Sequence, residues 1–75
     1  MKASDIEDAH VIRLAAAWRE GSALGVVAAL QAEGVPYKVA FHKVEKMSSR
    51  HLLDYGVSPH YAWPTPEGLA LLRKC

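Results

Sequence analysis

The densest grouping of chemically able side chains lies between Pro36 and His51, PYKVAFHKVEKMSSRH, where Lys38, Lys43, Lys46 and Arg50 stand against one acid, Glu45. With the histidines neutral this stretch carries +3. Ammonium and guanidinium groups repeated along a helix donate to phosphate oxygens and neutralise a polyanion. At helical spacing Ala40, Val44, Met47 and His51 make one stripe, the face that a helix turns toward a core. Lys38, His42, Lys46 and Ser49 make the opposite stripe, with Lys43 and Arg50 on its shoulder. A polyanion would dock on this outward face.

The remaining reactive residue types offer less. His42, His51 and His60 stand nine apart, which is neither the four-residue helical spacing nor the short loop spacing of a zinc site, and Cys75 is the one thiol. No metal and no cofactor is expected, and His10 has no assigned role. Protonation of His42 and His60 would add charge to a polyanion-binding face, so affinity should rise as pH falls from about 8 to about 6. No glycine-rich phosphate loop, no H-E-x-x-H helix and no serine or cysteine beside a base can be read, so an enzyme is not expected. Tyr55, Tyr61 and Trp63 could stack on single-stranded bases. The packing needs of a small hairpin instead put Tyr55 and Trp63 over the core and leave Tyr61 exposed. Ser48 and Ser49 could also reach phosphates, whereas Ser22 has a sufficient role as a helix cap.

The 75 residues imply one domain over 1–75, half of it apolar, with a small core. A domain of this size hides only about 60% of its unfolded surface, so a partner or a dimer would help it. The net charge of +1 is segregated: residues 1–35 hold three bases and five acids (−2), and residues 36–75 hold six bases and three acids (+3). A single cysteine excludes an internal disulfide. No apolar run approaches the roughly 20 residues that cross a bilayer, and the acidic start KASDIEDAH does not read as a signal peptide. A cytoplasmic protein without membrane contact is expected.

Several elements must position the basic stretch. Ser4 and Glu7 have the spacing of a capping box, which predicts a first helix from there to Gly21 with Val11, Leu14, Ala15 and Trp18 inward and Ile6 and Ile12 contributing less. Ser22 can cap a second helix over Ala23–Glu33, with Leu24, Val26, Val27 and Leu30 buried and Gly34 ending it. Pro36 fits the first turn of the basic helix. Helix, glycine turn and basic helix follow in the order of a helix-turn-helix. Leu53, Tyr55 and Val57 alternate in a strand over Leu52–Val57, Ser58 to His60 turn, and Tyr61–Trp63 return to Pro64. Thr65 and Pro66 read as N-cap and first residue of a last helix, with Leu69, Leu71 and Leu72 to pack and Gly68 as its weak point. The fold class is mostly α with a small β-hairpin: a three-helix core, a two-stranded wing and a short C-terminal helix.

The stretch VEKMSSRHLLDYGVSPHYAWPTPEG resembles the end of the recognition helix and the wing of winged helix-turn-helix regulators of the MarR-like kind. In that family a hydrophobic-x-x-x-Gly-Leu-hydrophobic segment leads into a hairpin closing on a Leu-Thr-x-x-Gly turn. Met47, Leu52, Leu53, Thr65 and Gly68 stand at the matching positions, and the resemblance covers about residues 22–72. His51 stands where the family usually has glycine, which requires either a left-handed backbone or a different helix end. The wing tip, Ser58 to His60, carries no lysine or arginine, and Glu20 to Ser22 leave little room for the strand that usually precedes the second helix.

The resemblance implies a small transcriptional regulator of bacterial or phage type. Tyr37, Lys38, Phe41 and His42 would face base edges of double-stranded DNA, Lys43, Lys46 and Arg50 would neutralise phosphates, and Ser49 and His60 would flank them. A homodimer on neighbouring half-sites is expected, through Ile12 and Trp18 or through Leu69 to Leu72. The alternative is a winged-helix protein-interaction module whose partner is another protein, favoured by Glu45 within the basic face and by the bare wing tip.

Overall fold

Burial of Ile6 decides where the first helix begins. In this computed structural model, which describes residues 2–21, 24–56 and 59–74, Ala3–Asp5 form a short 3-10 turn. The Lys2 amide closes it by donating to the Asp5 carboxylate at 2.8 Å. Ile6 then runs extended (φ −100°, ψ 125°) into the core, and Glu7 stays extended behind it. That detour corrects the expected Ser4–Glu7 capping box. Helix α1 spans Asp8–Arg19 and has no side-chain cap. Its inward stripe is Ala9, Val11, Ile12 and Ala15, so Ile12 is a principal core residue while Leu14 and Trp18 are half-buried. A dimer surface through Ile12 is thereby corrected, because Ile12 is wholly covered. Gly21 ends α1 at φ 116°, as expected.

Helix α2 spans Val26–Ala32 and starts from Gly25, later than expected. Gly25 lies against the His60 backbone, where a Cβ would run into the carbonyl oxygen. Leu24 is excluded from the helix and about half exposed, against its expected burial, whereas Val26, Val27 and Leu30 are fully buried. The proposed Ser22 cap lies outside the described residues. At the other end the Val35 amide donates to the Leu30 carbonyl at 3.1 Å and the Gly34 amide to that of Gln31 at 3.0 Å, with Gly34 left-handed. This pair of bonds is a Schellman stop, sealed by buried Val35 and Leu30.

Helix α3 spans Tyr37–Ser49. Pro36 precedes it in extended conformation (ψ 144°) as its cap, one position earlier than expected. Ala40, Val44 and Met47 are fully buried. The same Schellman pair ends α3: the Leu52 amide donates to the Met47 carbonyl and the His51 amide to that of Ser48, both at 3.0 Å. His51 adopts φ 64° and is exposed, which takes it off the expected inward stripe.

Strand β1, Leu53–Asp54, pairs antiparallel with β2, Trp63–Pro64, in the register Leu53 to Pro64 and Asp54 to Trp63. Both strands are shorter than expected. Pro59–Tyr61 form a 3-10 turn packed on α2 and α3, so Tyr61 belongs to a turn rather than to a strand. Val57 and Ser58 lie outside the described residues. Helix α4 spans Pro66–Lys74. Thr65 caps it as expected, its Oγ1 accepting the Gly68 amide at 3.1 Å and its hydroxyl donating to the His51 carbonyl. Gly68 is buried against the Leu52 carbonyl, with no room for a Cβ, which accounts for glycine inside a helix. The described chain is thus mostly helical, four α-helices and one two-stranded antiparallel sheet. Helix α1 packs on β2 and α4 as well as on α2, closing one core to which Leu71 and Leu72 add cover. The backbone measures 27 × 25 × 21 Å.

Candidate functional site

Helix α3 is fixed in place by its buried stripe and by one acid from α1. The Asp8 carboxylate accepts from Lys43 Nζ at 2.6 Å and from Arg50 Nη1 at 3.0 Å. Burial pushes the Asp8 carboxyl upward, but hydrogen bonds and charge attraction from Lys43, then Arg50, outweigh it and hold the group below its ordinary value. Lys43 is only 7% exposed. This corrects its place on an exposed shoulder: the side chain lies beside the opening turn, near Ala3 and Ser4, and its ammonium is spent on Asp8. The Arg50 side chain remains 60% exposed beside the same acid.

The outer face of α3 holds Lys38, His42, Glu45, Lys46 and Ser49, all exposed. Four of the nine expected contact residues are therefore gathered there, with Arg50 at the edge. The opening 3-10 turn lies along one flank, and a shallow groove of about 430 Å³ runs between Lys2 and Ser4 on one side and Lys38, His42 and Lys46 on the other, over Val39. A second shallow groove continues along His42, Glu45, Lys46, Ser49 and Arg50. Among the described residues Lys2, Lys38 and Lys46 enter no ion pair. The sequence marks Ser4 only as a helix cap and gives no signal for Lys2, because residues 1–35 carry a net −2 and point the other way.

Tyr37, Phe41 and His60 form a different group on the opposite flank. The Tyr37 hydroxyl and His60 Nε2 share a hydrogen bond of 2.7 Å, and their rings stack at 5.6 Å. Phe41 meets His60 edge-on at 5.5 Å and Tyr37 at 5.8 Å. His60, expected at a wing tip, is instead folded back on the start of α3. Tyr61 is 55% exposed, as expected, although it sits in a turn and not in a strand, and its ring lies 5.6 Å from that of Trp18. Tyr55 and Trp63 are half-buried, and the Arg19 guanidinium sits 5.6 Å from the Trp63 ring. His10 finds a role in joining α1 to the end of α2 through Glu33 Oε1 at 2.6 Å.

Among the described residues no trio of histidine, cysteine, aspartate or glutamate is arranged to hold a metal ion. No helix among them is long and apolar enough to cross a membrane. The outer face of α3 is thus an exposed row of basic and hydroxyl side chains interrupted by Glu45, with an aromatic group on one flank. Comparison of the chain with family models, with curated proteins and with solved structures finds no match.

Proposed function

We propose that this chain binds double-stranded DNA through the outer face of α3, as a winged-helix domain of MarR-like type acting as a small transcriptional regulator. The observation that carries this reading is the row Lys38, His42, Lys46 and Ser49, exposed along one face of α3, in which Lys38 and Lys46 have no acidic partner among the described residues while Lys43 is paired with Asp8. An α-helix fits the major groove, where such donors meet phosphates and base edges. The element order, three helices, an antiparallel strand pair and a fourth helix, supports the winged-helix arrangement. So does the left-handed His51 at the family's glycine position. Lys38 and His42 are the base-facing candidates; Tyr37, Phe41 and His60 support the helix start from the side. Two copies on neighbouring half-sites would supply the affinity that one small contact lacks.

The test is fluorescence anisotropy of a labelled duplex of about 25 base pairs at about 50 and about 200 mM salt. Affinity is expected to fall steeply with salt, and Lys38→Glu with Lys46→Glu is expected to weaken binding by at least about tenfold at the lower salt. Absence of binding at the lower salt would overturn the reading. It would favour the second one, a protein-interaction module, which rests on the exposed Leu24, Tyr37 and Tyr61. Tyr37→Ala and Tyr61→Ala would then be the damaging changes.

A further inference from the structure

Resting on that reading of α3, we infer that the opening turn is the second jaw of the interface, and that the groove between it and α3 seats a backbone phosphodiester of the bound DNA. The groove is lined by Lys2 and Ser4 from the opening turn and by Lys38, His42 and Lys46 from α3. No acid lines it. The three lysines enter no ion pair among the described residues, so they are open to an anion from outside the chain. A phosphodiester is the anion that fits: it offers two non-bridging oxygens to donors on opposite walls, and its sugar can rest on the apolar floor at Val39.

The jaw is held in place by three anchors, none of which uses a groove-facing group. The Lys2 amide is tied to Asp5 at 2.8 Å, Ile6 is sunk in the core, and Asp8 is clasped by Lys43 and Arg50. Donors on such a prepositioned segment contact phosphate without the ordering cost of a free arm. Sequence separation hides the arrangement, since Lys2 and Lys38 lie far apart in the chain.

The experiment compares the salt dependence of duplex binding for the wild-type chain, Lys2→Gln, Ser4→Ala and Arg13→Gln. Arg13 carries the same charge but lies on another groove with Asp5, Glu7 and Glu33, so it controls for net charge. Lys2→Gln is expected to reduce the slope of log affinity against log salt by about 0.9, the share of one phosphate contact. Ser4→Ala should weaken binding a few-fold with the slope retained, and Arg13→Gln should match wild type. If Lys38→Glu abolishes binding while Lys2→Gln behaves like Arg13→Gln, the jaw is wrong and the α3 reading stands. If the wild-type chain binds no duplex, both fall together.

Discussion

His51 carries the clearest residue-scale cost in the molecule. It is the one described residue other than glycine with positive φ, and it ends α3 in a motif that elsewhere in this chain uses Gly34. A Cβ in the left-handed region costs roughly 1–2 kcal/mol, part of which the lost backbone freedom of glycine offsets. His51→Gly is therefore expected to stabilise the fold by about 1 kcal/mol. Urea unfolding checks this, and a midpoint that stays put or falls would count against the left-handed assignment. Asp8 is the second residue whose state matters. Its folded pKa is lowered, so the stabilisation it brings is complete above its ordinary value of 3.8 and is lost as pH falls through the folded value. Asp8→Asn should flatten the acid limb of a stability profile below about pH 4. At pH 7 it should cost toward the low end of about 3–5 kcal/mol, because Lys43 is left charged and buried while position 8 keeps some contact with water. An unchanged acid limb would mean that another carboxylate governs it.

At the scale of elements, what could be read in advance was whatever one element determines alone. The stripe Ala40, Val44 and Met47 is a local period, and the Thr65–Pro66 start of α4 is a local capping chemistry; both stand as expected. Lys43 was misjudged because its partner is contributed by α1, 35 residues earlier, and no periodicity within α3 records that. The start of α1 failed for a similar reason: Ser4 and Glu7 have the right spacing, but Ile6 between them is claimed by the core. The segment from Pro59 to Tyr61 is a single 3-10 turn, too short for any period to show. Its place is set by the close approach of the His60 carbonyl to Gly25. The outer face of α3 was legible as a charge pattern, whereas the opening turn beside it was not, since its placement depends on tertiary anchors.

At the scale of the whole molecule, α2 and α3 form a local pair joined by the Gly34 turn, while α1 is bounded by elements from the far end of the chain, β2 and α4. This neighbourhood has a consequence for the order of folding. Joining α2 to α3 closes a short loop, whereas seating α4 beside α1 closes most of the chain, and loop-closure entropy grows with the length enclosed. The α2–α3 pair is expected to be structured in the transition state and the α1–α4 contact to form after it. Val27→Ala should then mainly slow refolding, with a φ-value of about 0.5–0.8, and Leu71→Ala should mainly speed unfolding, at about 0–0.3. Stopped-flow chevrons decide between this order and its reverse. The half of the molecule that carries the basic face would thus be assembled early, and the clasp between first and last helices would set how long the native state persists before it opens.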